Sequence, residues 1–150
     1  MTNSILQPAA LQQIEQRLVA LQETSARQWG TMTIAEMCWH CRQQLEFVLQ
    51  PTDTKVLNTM FRYQPFTWLA IYAVPWPKES PTAPSLDVKK AKPEVGTLPE
   101  EKAKLTDALQ AVLQKEYIEA THPLFGKLGR KDWGRLIWKH LDHHLRQFSC

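Results

Sequence analysis

Three of the chain's five histidines lie within five consecutive positions of one segment, 139-KHLDHHLRQF-148. Imidazole nitrogen is a good ligand for Zn, Ni, Cu and Fe, and the free side chain is largely unprotonated near pH 7. His140 and His144 are four positions apart, so on a helix both rings lie on one side, where they can reach the same ion. The segment therefore has the residue types and the spacing of a metal-ligand pair.

The sequence predicts that 130–148 forms the last helix. On a helical wheel at about 100° per residue, its apolar residues fall on one arc. This arc consists of Trp133, Leu136, Ile137, Leu141, Leu145 and Phe148. His140 and His144 lie inside the arc, whereas His143 lies at its edge, beside a polar flank that includes Lys139. Two imidazoles should therefore face the core, where an unpaired polar group costs about 1–3 kcal/mol.

A further imidazole lies on the predicted second helix, 33–49. The stretch 33-TIAE-36 has a capping-box pattern, which predicts a helix start, and Pro51 should end the helix. His40 falls at the border of the apolar arc and can reach a neighbouring helix. A three-histidine set leaves a coordination position free for water or substrate, as in catalytic zinc sites. We therefore expect His40, His140 and His144 to bind a divalent metal, and Zn and Ni suit three imidazoles equally.

Two other side chains of the last helix are candidates for supporting roles. Gln147 lies one turn beyond His143 and His144, where it should hydrogen-bond a ligand or orient a histidine. His143 is expected at the surface or behind the ligands. The alternative for a histidine on an apolar face is a core side chain that hydrogen-bonds a backbone carbonyl. His122, which lies in a turn with Pro123, is expected to have a structural role.

The three cysteines do not indicate a disulfide framework. The motif 38-CWHC-41 has the spacing of a redox site, but redox cysteines usually lie at a helix N-terminus, where the pKa of the thiol is lowered. Here the motif lies inside the predicted helix, so we expect Cys38 and Cys41 to be buried apolar residues. A thiolate ligand from Cys41 is a less favoured alternative, and Cys150 has no expected role.

Length and charge limit the class of protein. A chain of 150 residues with a net charge of +3 predicts one soluble domain, 1–150. Its basic residues are scattered, which disfavours nucleic-acid binding. The first residues lack the pattern of a signal peptide. The longest apolar run, 65–76, is about half of the roughly 20 residues that a membrane-spanning helix needs. We therefore expect a cytoplasmic protein that binds neither nucleic acid nor membrane.

The hydrophobic periodicity predicts an all-α protein, because no segment alternates with period two and no hairpin turn is evident. Four main helices are expected at 5–26, 33–49, 98–120 and 130–148. An additional short, buried helix is predicted within 56–74. Six of the ten prolines lie between positions 75 and 99, which predicts a long extended crossover. Long helices with single apolar stripes pack as a bundle.

Several stretches together resemble the DinB-like superfamily of metalloenzymes, within it a bacterial branch of unknown function. They are 29-WGTMTIAEMCWHC-41, 75-PWPKESPTAP-84, 122-HPLFGKLG-129 and 133-WGRLIWKHLDHHLRQF-148. The pattern H-x-x-H-H-x-x-Q is the most specific part. The resemblance implies a four-helix bundle with a long crossover, a homodimer, and a metal held by one histidine of the second helix and two of the last. Carried over residue by residue, these ligands are His40, His140 and His144.

The resemblance also suggests a function. Relatives include thiol S-transferases that use low-molecular-weight thiols, so a small-molecule substrate of that kind is implied. A metal with an open position lowers the pKa of a bound thiol or water, which suits thiol transfer or hydrolysis. Two alternatives remain open. One is a bundle that binds a metal or a small ligand without turnover, and the other is a helical interaction module whose histidines are structural.

Overall fold

The computed structural model describes residues 2–50, 54–80 and 85–150. Within these ranges the chain is mostly helical. Its helices, in chain order, are α1 (Pro8–Ala20), α2 (Ile34–Leu49), α3 (Phe66–Trp68), α4 (Val88–Ala91), α5 (Leu98–Leu113) and α6 (Arg130–Gln147). A 3-10 turn (Met60–Arg62) precedes α3, and a π-helical turn (Leu69–Ala73) follows it. Two short strands, β1 (Thr121–His122) and β2 (Gly126–Lys127), connect α5 to α6.

The start of α2 confirms the predicted capping box. The Thr33 hydroxyl accepts from the backbone N–H of Glu36 at 3.2 Å, and the Glu36 carboxylate accepts from the backbone N–H of Thr33 at 2.7 Å. Two N–H groups that lack helical partners are thereby satisfied. The predicted role of Pro51 in ending α2 falls outside the described residues. The last helix, α6, also begins and ends within a residue of its predicted bounds.

Two long helices end earlier than predicted, and a distant cation binds carbonyl groups at each of these ends. α1 ends at Ala20 rather than near position 26, and the Lys102 ammonium donates to the carbonyls of Val19 and Leu21 at 2.9 Å. α5 ends at Leu113 rather than near Ala120. The Arg130 guanidinium binds the carbonyls of Leu113 and Lys115 at 3.3 and 2.8 Å. Tyr117, which lies inside the predicted helix but beyond its observed end, is 68% exposed.

The prediction of a short, buried helix within 56–74 is confirmed for the helix but wrong for its burial. Helical backbone covers 66–73, as α3 and the π-helical turn, and Pro65, which has no N–H to donate, directly precedes it. Most of the large apolar side chains in the segment are exposed, including Met60 at 58% and Trp68 at 52%. Ile71 is buried and anchors the segment to the core. The apolar composition of this region therefore reflects a surface rather than a core element.

The absence of strands was also predicted wrongly, because β1 and β2 pair as a small antiparallel hairpin. His122 stabilises it: its Nδ1 accepts from the backbone N–H groups of Leu124 and Phe125 at 3.1 and 3.3 Å. Gly126 adopts a φ of +73°, which an L side chain rarely accepts. Burial lowers the pKa of His122 to about 4, so the ring is neutral at pH 7. This structural role is the one expected for His122.

The four long helices enclose the core and position the histidines. α2 packs along α5, α1 packs along α6, and α2 and α6 also contact each other. Trp133, Leu136 and Ile137 are completely buried at the centre of this arrangement. Burial of such side chains contributes about 1.5–3 kcal/mol each, which holds α2 and α6 in a fixed relation. No helix in the described ranges is both long and apolar enough to cross a membrane.

The polypeptide between the π-helical turn and α5 crosses the outside of these helices. α4 interrupts the extended path, and its first turn is capped by the Asp87 carboxylate, which accepts from the backbone N–H of Lys89 at 3.0 Å. The Lys89 ammonium in turn binds the Glu36 carboxylate at the start of α2, at 2.9 Å. The crossover is thereby fixed against α2, and its Leu86 carbonyl lies beside that helix.

The hairpin yields a first prediction. Replacement of His122 by alanine removes the acceptor for two partly buried backbone N–H groups and should lower the free energy of unfolding by about 1–3 kcal/mol. Urea unfolding at pH 7.5 measures this change. Because the ring stabilises a turn and is not one of the three clustered histidines, the metal content of the variant should equal that of the wild type. An unchanged unfolding free energy would show that the hairpin does not depend on these bonds.

Candidate metal centre

The structure brings His40, His140 and His144 together in the core. One ring nitrogen of each lies within 4.8 Å of those of the other two, and all three side chains are buried. The Nε2 atoms of His40 and His140 are 2.9 Å apart. The ring of His144 lies 4.7 Å from that of His40 and 4.6 Å from that of His140, centroid to centroid. α2 supplies one ring and two successive turns of α6 supply the others.

Hydrogen bonds outside the cluster set the tautomers of two of these rings. The Nδ1 of His40 lies 2.7 Å from the Leu86 carbonyl of the crossover. A carbonyl only accepts, so Nδ1 carries the proton and the Nε2 lone pair faces inward. The Nδ1 of His144 lies 2.9 Å from Oε1 of Gln147 and donates to it in the same way. Both rings therefore direct an unprotonated nitrogen at the shared space.

Gln147 is itself held in one orientation. Its Nε2 donates to the Trp29 carbonyl at 2.9 Å, which leaves Oε1 as the atom that faces His144. Gly30 leaves room for the Gln147 amide, because a Cβ at position 30 would lie 2.6 Å from the amide nitrogen. The φ of Gly30 is +75°, which also favours glycine. The loop before α2 thus fixes an amide at the end of α6. Gln147 therefore has the orienting contact that was one of its two expected roles.

The third ring lacks such a partner. The Nδ1 of His140 is buried and has no hydrogen bond to any described residue. Burial lowers the pKa of this side chain well below its usual value, and the neighbouring His144 and His40 lower it further. Burial also lowers the pKa of His40, and that of His144 to about 3. All three rings are neutral at pH 7, which is the form that binds metal.

These residues fit a divalent metal. Three neutral imidazoles are a common ligand set for Zn and Ni, and two of these rings direct a lone pair at the shared space. Two nitrogens at about 2.0–2.1 Å from one zinc ion lie about 2.9 Å apart at a right angle and about 3.3 Å apart at the tetrahedral angle. The 2.9 Å between His40 and His140 is therefore compatible with a shared ion. The carbonyl and the amide behind two of the rings are the outer partners that ligating histidines usually have.

His143 is buried rather than at the surface, and it lies against the cluster. Its ring meets that of His144 edge-on at 5.0 Å and that of Trp29 at 5.5 Å. It also hydrogen-bonds the backbone of Lys78, and burial lowers its pKa. Trp76 stands 6.3 Å from His143 and 6.1 Å from His140. These aromatic rings pack around the three-histidine cluster on this side.

Lys139 differs most from the wheel prediction, because it is 6% exposed. Its ammonium donates to the carbonyls of Ala70 and Val74, each at 2.5 Å, and lies 3.5 Å from that of Ile71. It also lies 5.4 Å from the centre of the Trp76 ring. Burial and the nearby Arg135 lower its pKa to about 8. Lys139 thus binds the C-terminal carbonyls of the π-helical turn and holds them beside α6.

Cys38 and Cys41 are free and buried, as expected for apolar side chains. Burial raises the pKa of Cys38 to about 12 and that of Cys41 well above its usual value. The Cys41 sulfur lies 3.7 Å from that of Met37. A protonated, buried thiol is a poor nucleophile, so these groups do not support disulfide exchange. Cys41 is not part of the clustered set of potential ligands.

Residues 2–150 match the model of a family described as "Protein of unknown function (DUF1569)". The chain belongs to this family. Comparisons with curated proteins and with solved structures find no match. For this member of the family, the geometry of the histidine cluster therefore carries the functional argument.

Sequence reasoning did not find the role of Leu86, Trp76 or Lys139 around the cluster. Leu86 contributes a backbone carbonyl, which its side chain does not reveal. Trp76 lies in the stretch 75-PWP-77, where a large aromatic residue between two prolines is a signal for a fixed position near other elements. Lys139 lies next to the apolar arc of α6, and its burial depends on the carbonyls of the π-helical turn.

The bond between Gln147 and His144 yields a second prediction. Replacement of Gln147 by alanine should weaken zinc binding by about 10- to 100-fold, the usual effect of losing an outer partner of a ligand. The dissociation constant can be measured by competition with a chelator dye. Gln110→Ala is the matched control, because Gln110 contacts Glu15 on the surface. Equal zinc affinity in both variants would contradict an orienting role.

The low pKa values yield a third prediction, for metal-free protein. His144 and His122, with pKa values of about 3 and 4 in the fold, should titrate near 6.5 once unfolded. Between those limits the unfolded chain binds more protons, so stability should fall as the pH drops below about 6.5. The slope is up to about 1.4 kcal/mol per pH unit for each group. Urea unfolding in EDTA at pH 7.5, 6.5, 5.5 and 4.5 measures it.

His122→Ala and His144→Ala should each make this pH profile shallower, because one depressed pKa is removed. A surface replacement such as Gln110→Ala should leave the slope unchanged. A wild-type stability that is flat from pH 6.5 to 4.5 would contradict the neutral, buried state of these rings.

Proposed function

We propose that the protein is a DinB-like metal-binding protein in which His40, His140 and His144 hold one divalent ion, Zn or Ni. The proposal includes a four-helix bundle of DinB-like type built from α1, α2, α5 and α6. It rests on one observation above the others: two of the three clustered rings donate Nδ1–H away from the cluster and so direct bare Nε2 atoms inward. Purely structural histidines would not need converging lone pairs.

We further propose that the ion serves a metal-dependent enzyme of thiol S-transferase or hydrolase type. When bound, such an ion lowers the pKa of a thiol or water at its open position. The surrounding residues support a reaction at that position. Three protein ligands leave room for a further group, and a cleft of about 190 Å³ is lined by Trp76 and His143, whose rings lie next to those of His140 and His144. A closed structural site would need a fourth protein ligand instead.

The side chains around the cluster have separable roles in this proposal. His40 and His144 orient their lone pairs through Leu86 and Gln147, so the ligand set is arranged before any ion arrives. Trp76 and Trp29 exclude water from one side. Exclusion of water strengthens the electrostatic effect of an ion on a reacting group, because fewer dipoles screen it.

The fourth prediction tests the ion. Protein purified without a histidine tag should contain, or take up on titration, one Zn or Ni per chain by elemental analysis. His140→Ala and His144→Ala should lose affinity by more than the about 10- to 100-fold expected for an outer partner. His122→Ala, which removes an imidazole outside the cluster, should keep the ion. Circular dichroism checks that each variant folds.

The outcomes distinguish the three functional classes. Metal binding with turnover of a low-molecular-weight thiol and monochlorobimane supports a thiol transferase. Metal binding without turnover of either thiol or ester substrates supports a non-catalytic binding protein. Absence of any bound metal after titration, in folded protein, would contradict the metal proposal and leave the histidines as structural residues.

A further inference from the structure

The cleft beside the histidine cluster lies between residues 73–76, which follow the π-helical turn, and one side of α6. Trp76 and His143 form its inner end, where the ring of Trp76 is 6.1 Å from that of His140. Arg135, Trp138, Lys139 and Arg146 line the remainder. A volume of about 190 Å³ suits a molecule smaller than a typical drug-sized ligand. A molecule bound here contacts the rings of Trp76 and His143, which lie next to the three-histidine cluster.

The cleft carries an excess of positive charge. Three of its side chains are cationic, Arg135, Lys139 and Arg146, and Asp142 is its one carboxylate. That carboxylate is already paired twice: its Oδ1 binds Arg17 at 2.7 Å, and its Oδ2 binds Arg146 at 3.0 Å. Arg17 does not line the cleft, so its positive charge neutralises the Asp142 carboxylate without using any of the cationic side chains of the cleft. The positive field of the lining is therefore largely uncompensated.

The three cationic side chains differ in how many of their N–H donors lack a hydrogen-bond partner among the described residues. The ammonium of Lys139 is occupied by backbone carbonyls, as described above. Arg135 uses Nε for the Ile71 carbonyl and Nη1 for that of Asn3, at 3.2 and 2.9 Å. Its Nη2, and both Nη atoms of Arg146, have no hydrogen-bond partner in the described part of the chain. Two guanidinium groups thus retain donors that suit a carboxylate.

The walls of the cleft are aromatic. Trp76 and Trp138 present flat apolar surfaces, and each has a cation near its face: Lys139 lies 5.4 Å from the first ring and Arg135 lies 5.0 Å from the second. Arg135 is held there by its two backbone bonds and by this ring. The cations are therefore positioned before a ligand binds, which reduces the entropy lost on binding.

We propose that this cleft binds a small organic anion, with its carboxylate between Arg135 and Arg146 and its other end against Trp76 and His143, the two rings next to the clustered histidines. The inference rests on the proposed function, because it assigns the substrate class of the same site. The substrates are then expected to carry a carboxylate a few bonds from the reacting atom. Arg146 is the group that selects for that charge, and Trp76 contacts the connecting carbons.

The first test does not depend on thiol chemistry. Propionate and propionamide have similar shapes but differ in charge, and the indole N–H signals of Trp76 and Trp138 report on the cleft in two-dimensional NMR spectra. Trp76→Phe and Trp138→Phe assign these signals. Propionate should shift them in a saturable manner, whereas propionamide should not. Equal shifts with the two compounds would overturn the inference.

Matched arginine variants localise the effect. Arg146 is exposed, and its removal leaves Asp142 paired with Arg17, so Arg146→Gln should fold normally. It should weaken propionate binding about tenfold, the effect of losing one charge-assisted hydrogen bond in a partly exposed site. Arg62→Gln is the control, because Arg62 is exposed and lies on the 3-10 turn outside the cleft. An unchanged affinity in Arg146→Gln would overturn the assignment.

The second test uses cobalt-substituted protein, in which a bound thiolate gives a charge-transfer band. 3-Mercaptopropionate, 2-mercaptoethanol and cysteamine are small thiols of negative, zero and positive charge at pH 7. The first should bind about tenfold more tightly than the second, and cysteamine should bind most weakly. Equal affinities would overturn the inference and leave the thiol chemistry intact. If no thiol gives a band, the thiol proposal fails, and the propionate experiment alone decides the cleft.

Discussion

Three uncharged imidazoles share one buried space, and this constraint explains much of the surrounding structure. A buried ring nitrogen without a partner is costly, so each ring needs a partner for its proton and for its lone pair. His40 and His144 donate from Nδ1 to Leu86 and Gln147, and the Nε2 atoms of His40 and His140 lie within hydrogen-bond distance, whereas the Nδ1 of His140 has no partner among the described residues. An ion in the shared space would give the inward-facing lone pairs a common partner.

The acceptors come from parts of the chain far from the rings they serve. The crossover contributes a carbonyl because α4 and the Lys89–Glu36 ion pair fix it against α2. The loop before α2 contributes the Trp29 carbonyl, which binds Gln147. On the other side, Lys139 and Arg135 bind carbonyls of the π-helical turn and keep it on α6. Irregular segments therefore define the surroundings of the cluster, and the long helices supply the rings.

The elements that depend on local sequence were predictable. The capping box at Thr33 and Glu36 gives the start of α2, and the i, i+4 spacing of His140 and His144 gives their common direction. The ends of α1 and α5 were not predictable, because Lys102 and Arg130 reach them from elsewhere in the fold. Burial of Lys139 likewise depends on carbonyls about 70 positions away, which a helical wheel does not include.

The apolar segment 56–74 is the converse of Lys139, because its side chains were expected to be buried and are mostly exposed. Its composition indicates a buried helix, yet most of its large side chains face outward and Ile71 reaches the core. Hydrophobicity alone predicts burial only where a helix can present one continuous face. Here Pro65 interrupts the segment, so no such face forms.

Gly30 has a consequence for how such a centre can be modified. The residue touches no imidazole, but its missing side chain leaves the room in which the Gln147 amide reaches the Trp29 carbonyl. A library of progressively larger side chains at this single codon would displace that amide by graded amounts. Metal occupancy could then be adjusted in steps without replacing any of the three histidines.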